Sequence, residues 1–249
     1  MEKEKNFHYT PLGDGGKNVI ITGASRGIGK AIAEIFAVNN HHLYLTSKND
    51  IALYKAMEEL QTNFPAISIK AKAFDLSNAE EAKKAGSWIL DAGVVPDILI
   101  NNAGLFEPGS VYNEPEGVLE IQMATNVYSA YHLTRALLPA MMERKSGHIF
   151  NMCSIASLSA YKNGGAYSIS KYAMYGFSKN LREEMKAFNI KVTAVHPGAV
   201  LTDSWGDYDN SKNRIMKAAD IAKMVYTSSQ LSPGACVEEI LIRPQLGDL

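Results

Sequence analysis

Four tyrosines in this chain stand four residues ahead of a lysine: Tyr44/Lys48, Tyr167/Lys171, Tyr175/Lys179 and Tyr208/Lys212. The spacing has chemical meaning. A phenol with an ordinary pKa of about 10 is a poor acid and a poor base at neutral pH. An ammonium beside it stabilises the phenolate and turns it into a reversible proton donor. Residues i and i+4 share one face of a helix, so the two side chains can meet at one site. Reduction of a carbonyl asks for such a donor, for a hydride source and for a group that holds the carbonyl oxygen. Spacing alone does not choose among the four pairs.

The elements around each pair do choose. Short apolar runs alternate with longer helical patterns along the chain. Strands are expected at Asn18–Thr22, His42–Thr46, Ile67–Phe74, Ile98–Asn101, Gly147–Cys153, Lys191–His196 and Glu239–Ile242. Helices are expected at Gly27–Asn39, Asp50–Asn63, from the cap Asn78 to Ala92, and at Val118–Met142, Tyr167–Phe188 and Ala219–Gln230. This alternation predicts βαβ units, hence a parallel sheet with helices on both faces. Residues 17–249 read as one domain behind a polar tail, 1–16. Tyr44 falls inside a strand, where Lys48 cannot be its helical neighbour, and Tyr175 lies two turns along its helix, where packing suits it better. Only Tyr167/Lys171 opens a helix soon after a strand ending in Asn151-Met152-Cys153-Ser154, with Gly164-Gly165 in the intervening loop. Ser154 then stands at the carboxyl edge of the sheet, free to bond a substrate oxygen.

A second chemistry-bearing segment follows the first strand: Thr22-Gly23-Ala24-Ser25-Arg26-Gly27-Ile28-Gly29. Glycines permit a tight turn and close approach, and the helix opening at Gly27 aims backbone N–H groups at an anion such as a pyrophosphate. Strand, glycine turn and helix in that order are the context of a dinucleotide site. NAD-selective sites place a carboxylate about 20 residues further on, where it bonds the ribose 2′-hydroxyl. Here the second strand ends Leu45-Thr46-Ser47-Lys48-Asn49, with no acid before Asp50, which can cap its own helix. Arg26 and Lys48 can pair with a 2′-phosphate and Ser47 can donate to it, so NADP(H) is the expected cofactor.

Thr22-Gly-x-x-x-Gly-x-Gly29, Asp75, Asn101-Asn102-Ala103-Gly104, Asn126, Ser154, Tyr167-x-x-x-Lys171 and Pro197-Gly198-x-Val200-x-Thr202 together resemble the short-chain dehydrogenase/reductase family in order and spacing, from about Lys17 to Ile242. The resemblance implies a single-domain, doubly wound α/β fold of the Rossmann type with a seven-stranded parallel sheet. It implies that Asp75 contacts the adenine and that Asn101 to Gly104 support the cofactor cleft. Asn126 would hold a water linking Lys171 to solvent, and Pro197, Gly198, Val200 and Thr202 would receive the nicotinamide end. The stretch Pro197–Gly206 with Glu238–Pro244 is similar to bacterial sepiapterin reductases, which implies an aromatic carbonyl substrate and gives Asp203 and Trp205 a place at its pocket. The short region from Leu201 to Lys217 implies a small lid.

Composition narrows the remaining classes. In 249 residues, 25 basic and 26 acidic side chains nearly cancel, so no field favours nucleic acid or an anionic membrane. Two cysteines, Cys153 and Cys236, make no disulfide framework. No run of about 18 apolar residues exists to span a bilayer, and the amino terminus lacks a signal-like apolar core, so a cytoplasmic protein is expected. The six histidines show no metal-ligand spacing, and no metal is expected. Apolar and aromatic residues on the two long helices (Tyr128, Tyr131, Leu138, Tyr175 and Phe177), with the family resemblance, imply a homodimer or homotetramer. The reading is an NADPH-dependent carbonyl reductase. Its alternatives are a secondary alcohol dehydrogenase or 3-oxoacyl thioester reductase on the same scaffold and, from another class, a protein that senses NADP(H) without turnover.

Overall fold

The computed structural model describes residues 16–248; the expected tail, apart from Gly16, lies outside the described residues. β1 (Asn18–Thr22), β2 (His42–Ser47), β3 (Ile69–Ala73), β4 (Ile98–Asn101), β5 (Gly147–Met152), β6 (Ile190–Pro197) and β9 (Glu239–Ile242) form one parallel sheet in the order β3-β2-β1-β4-β5-β6-β9. β7 (Val200–Leu201) and β8 (Met216–Lys217) make a separate two-residue pair. The chain steps outward from β1 to β3 and then returns to the other side of β1 for β4, so a crevice opens at the carboxyl ends of β1 and β4.

The central strands β1 and β4 are mostly apolar because both faces are covered, and the polar side chains of β5 and β6, among them His148, Asn151, Thr193 and His196, are buried too. Side chains alternate across the sheet: Val19 and Ile21 join Phe36, Leu43 and Leu45 on one side, while Ile20 joins Leu99, Leu137 and Ile149 on the other. The first layer is closed by α1 (Gly27–Val38), α2 (Asp50–Asn63) and α7 (Ala218–Ser229). The second is closed by α3 (Ala79–Asp91), α5 (Ser129–Arg144) and α6 (Gly165–Met185). At the edge, β3 reads Ile-Lys-Ala-Lys-Ala, and Lys70 and Lys72 blunt a strand with no outer partner among the described residues.

Several expected boundaries change. The helix expected over Val118–Met142 is α4 (Val118–Met123), a π-helical turn (Ala124–Tyr128) and α5, with Pro139 inside the last. The cap of α2 is Asn49, whose Oδ1 accepts Ala52 N–H at 2.9 Å, and not Asp50. Asn78 does cap α3, accepting from Glu80 and Glu81. The third strand is shorter than Ile67–Phe74, and its acid, Asp75, lies beyond its end. Of the residues that suggested an interface, Leu138 is buried in the second layer, whereas Tyr128 and Tyr131 are exposed. Among the described residues no helix is long and apolar enough to cross a membrane.

Candidate functional site

The carboxyl ends of β1 to β5 carry the residues of the candidate site. After β1, Gly23 and Gly27 take left-handed backbone, φ +63° and +56°. A Cβ on Gly23 would lie 2.9 Å from Asn102 Nδ2, and one on Gly29 only 2.2 Å from the Gly23 carbonyl oxygen, so the turn admits no side chain there. α1 starts without a side-chain cap and without an acid in its first turn. Its amino end therefore faces the crevice as a set of backbone donors on the positive end of the helix dipole. The turn is braced from β4: Thr22 Oγ1 accepts Asn102 N–H at 2.9 Å and Ala103 N–H at 2.8 Å, and Asn102 Nδ2 donates to the Thr22 carbonyl at 2.9 Å. This glycine cradle with uncapped donors fits a pyrophosphate.

At the ends of β2 and β3, Ser25 and Ser47 share a hydroxyl hydrogen bond of 3.1 Å. Lys48 pairs with Asp75 at 2.7 Å, and Ser77 donates to the same carboxylate from its backbone and its hydroxyl. Although partial burial works against ionisation, these bonds win and hold the Asp75 carboxyl below its ordinary pKa. Arg26 reaches across to Asp203, 3.1 Å away, on the segment after β7. Gly27 and Thr202 close the same gap, since a Cβ on the glycine would stand 3.3 Å from Thr202 Cγ2.

The other side is more enclosed. Ser154, two residues past β5, is buried, and its Oγ accepts Ala156 N–H at 3.1 Å. Ser157 donates to the Ser154 carbonyl, and His196 Nδ1 lies 2.9 Å from Ser157 Oγ and 3.2 Å from that same carbonyl. A carbonyl only accepts, so Nδ1 carries the proton; burial lowers the pKa of this histidine. Lys171 is buried on α6, and its Nζ donates to the Met152 carbonyl at 2.8 Å, tying the helix to the end of β5. The same ammonium stands 5.7 Å from the Tyr167 ring centroid. Gly104 lies beside it: a Cβ there would be in ordinary contact with Nζ at 3.6 Å and tight against Asn126 Oδ1 at 3.3 Å. Neighbouring groups are poor acid/bases at neutral pH: burial pushes the Tyr161 phenol up to about 12, with Tyr167 adding to the effect. Burial also raises the Cys153 thiol to about 11, against the pull of the Lys171 charge.

Asn126 sits in the π turn, buried. Its side chain accepts Leu105 N–H at 2.6 Å and donates to the Leu105 carbonyl and to Ser170 Oγ, each at 2.9 Å. It thus braces the chain leaving β4, a task its sequence position does not announce. Asn101 is buried between the sheet and α5, and donates to Asn151 of β5 and Thr134 of α5. Val200 is buried, Trp205 packs against Tyr208 with ring centroids 5.3 Å apart, and Asp203 is exposed on its pair with Arg26. Tyr175 bonds Glu239 of the edge strand and lies away from the crevice. Two contributors escaped the sequence reading: Phe106, edge-on to Tyr167 at 4.8 Å, and Glu114, which accepts Ala166 N–H at 2.8 Å.

The sheet order and the glycine cradle at its switch point define a doubly wound, nucleotide-binding type of α/β protein. The chain matches the short chain dehydrogenase family over residues 17–213 and belongs to it, as an oxidoreductase. It is 32% identical over 239 residues to the sepiapterin reductase of Chlorobaculum tepidum, covering 93% of this chain and 97% of that protein. Among solved structures it is similar to a metagenomic short-chain oxidoreductase in complex with NADP, at 28% identity and a TM-score of 0.81, over 95% of this chain and 99% of that one. It is also similar to L-sorbose reductase from Gluconobacter frateurii complexed with NADPH and L-sorbose, at 25% identity and a TM-score of 0.86, over 94% and 98% of the two chains.

Proposed function

We propose that this protein is an NADPH-dependent carbonyl reductase in which Tyr167 protonates the forming alkoxide. The observation that carries the reading is the buried Lys171 ammonium, fixed on the Met152 carbonyl beside the Tyr167 ring. A positive charge held there favours phenolate after proton transfer and so makes Tyr167 an effective donor. Ser154 Oγ, already accepting Ala156 N–H, keeps its own proton to donate to the substrate oxygen. Asn126 braces the Leu105 backbone and Ser170, and with them the wall of the site. When bound, NADPH supplies the hydride. Gly23, Ser25, Gly27, Ile28 and Gly29 would hold its pyrophosphate, and Arg26, Ser47 and Lys48 its 2′-phosphate. Asp75 would meet the adenine, Asn102 to Gly104 would line the middle of the cleft, and Pro197, Gly198, Val200 and Thr202 would take the nicotinamide end.

The substrate class we infer is an aromatic carbonyl. Support comes from Phe106, edge-on to the Tyr167 ring, and from the similarity to a sepiapterin reductase; Trp205, packed against Tyr208, and Asp203 would stand at the pocket in this reading. Residues 17–249 act as one catalytic domain in this reading. Exposed Leu119, Ile121, Tyr128, Tyr131, Ile169 and Tyr172 on α4, the π turn, α5 and α6 support a homodimer or homotetramer. Two unpaired cysteines support a reducing setting, the cytoplasm. The test is oxidation of NADPH, followed by its absorbance, with sepiapterin, a simple aromatic diketone, a keto sugar and an acetoacetyl thioester. Sepiapterin or the diketone should give the highest kcat/KM. A higher value for the thioester removes the substrate assignment, and no turnover of any carbonyl removes the reductase.

A further inference from the structure

Residues 105–117, between β4 and α4, belong to neither the glycine cradle nor the Tyr167 helix, yet they are fastened to both sides of the site. At their root Asn126 holds Leu105, and Gln122 Nε2 donates to the Glu107 carbonyl at 3.2 Å. Further along they lie on the turn ahead of α6, where Gly109 N–H donates to the Asn163 carbonyl at 3.1 Å and Ser110 Oγ to Asn163 Oδ1 at 2.9 Å. Glu114 completes the seam, its Oε1 accepting Ala166 N–H at 2.8 Å.

That bond does what α6 does not do for itself. Gly164 offers the helix no side-chain cap, and its first turn holds no acid. A carboxylate from 52 residues upstream satisfies one of its backbone donors and meets the positive end of its dipole. The glycines at the seam fit this arrangement. A Cβ on Gly165 would stand 1.7 Å from Glu114 Oε1 and 2.6 Å from the Gly109 carbonyl oxygen; one on Gly109 would meet Glu114 Cγ at 2.6 Å. The residue after Ala166 is Tyr167, and the same loop sets Phe106 edge-on to its ring, at 77° between planes.

We propose that Glu114 is a positioning residue for this site. It anchors the amino end of the helix carrying Tyr167 and, through residues 105–117, holds Phe106 as the apolar wall beside that ring. The inference rests on Tyr167 being the proton donor. Lys171, one turn further on, is anchored independently on Met152. Freeing the first turn therefore shifts Tyr167 relative to its ammonium and lowers kcat, while a loosened Phe106 raises KM for the carbonyl. The glycine cradle across the crevice is untouched, so NADPH affinity stays.

The experiment compares Glu114→Ala, Glu114→Gln, Phe106→Ala and Tyr167→Phe in the full chain. It uses the best carbonyl of the panel, NADPH binding by fluorescence and a thermal melt. Misplacement of a catalytic group by about an ångström costs up to about a hundredfold, so Glu114→Ala should lose about tenfold or more in kcat/KM through both parameters, with the NADPH Kd unchanged. Glu114→Gln keeps an acceptor and should recover most of that loss, which a mere change of charge would not. Phe106→Ala should raise KM and leave kcat nearly unchanged, and it carries the test if Glu114→Ala melts below the assay temperature. Unaltered kcat/KM in Glu114→Ala, an equal loss of NADPH affinity, a Gln variant as impaired as Ala, or an unaltered KM in Phe106→Ala overturns the proposal. An active Tyr167→Phe would instead remove the donor assignment itself; an inactive one beside a normal Glu114→Ala removes this inference alone.

Discussion

The crevice holds its cations in two opposite ways. Lys171 is 5% exposed and rests on one backbone carbonyl. Arg26 and Lys48 have side chains 72% and 76% exposed, each paired with a carboxylate, Asp203 and Asp75. A buried charge on a fixed dipole is pre-organised and costly to move. An exposed ion pair contributes little, roughly 0–1 kcal/mol, and exchanges partners readily. Chemistry needs the first arrangement, because proton transfer depends on fixed distances. Recognition of a large anion suits the second, because a 2′-phosphate can take over cations whose present partners hold them weakly. In the proposed reading the β5/α6 side is thus the rigid side, and the β1–β3 side is the one that rearranges.

The largest effect should come from the rigid side. Tyr167→Phe removes only a proton donor, so turnover should drop by ~10²–10⁴ with NADPH binding intact, measured by steady-state rates and fluorescence titration. A loss below tenfold would break the comparison at its strongest point. Next come the exchangeable cations. Replacing Arg26 and Lys48 together should raise KM for NADPH relative to NADH, by roughly tenfold to a hundredfold for each charge-assisted bond lost, at ~1.5–3 kcal/mol per bond to the phosphate. An enzyme that already uses NADH equally well would show that neither cation reads the phosphate.

A third effect separates the two sides through pH. His148, at the start of β5, is pushed to about 3, mainly by burial and further by the charges of Lys191 and Lys17. Its Nε2 lies 2.7 Å from Thr193 Oγ1, whose own proton goes to the Val237 carbonyl, so the histidine donates and stays neutral in the fold. His41, buried beside Lys17, is lowered to about 4. Below about 6.5 the unfolded chain takes up protons that these native rings refuse. Stability should therefore be complete above that pH and fall toward pH 4, at up to ~1.4 kcal/mol per pH unit for each ring. Thermal melts at pH 7.5 and 5 should show the drop, and His148→Gln should flatten its share. A slope left unchanged by the substitution would place the His148 share elsewhere.

The smallest effect sharpens the comparison most. Asp203 competes for Arg26 in the structure. Asp203→Ala should tighten NADPH by no more than about fivefold, the range of an exposed pair, with less effect on NADH. Weaker NADPH binding in that variant would mean that the carboxylate orders Arg26 for the phosphate.

Elements with strong local signals were legible in the sequence. The apolar runs of β1, β4 and β5, the Asn78 cap and the glycine turn each carry their reason within a few residues. Strand and helix order also places the Tyr167/Lys171 pair, alone among four equal spacings, in the first two turns of the helix that follows β5. The long helix over Val118–Met142 is there, but the π turn inside it was not legible; Asn126 in that turn bonds the Leu105 backbone and Ser170 across space. Which of the apolar residues on these helices enter the core, as Leu138 does, was not legible either. Apolar residues on several faces of a helix do not tell which neighbour covers which face.

Glu114 marks the limit most clearly. Nothing within several residues of it suggests a helix cap, and its partner lies 52 positions away. The sequence by itself determined the parallel sheet, the switch-point crevice and the chemical types standing at its rim, because periodicity, glycine conformation and helix geometry act over a few residues. The tertiary structure alone decided which cations are buried and which are exchangeable, which carboxylate each one meets, and how residues 105–117 lock the first turn of α6. Those outcomes depend on solvent exposure and on contacts between distant segments, and both come into being only when the layers close.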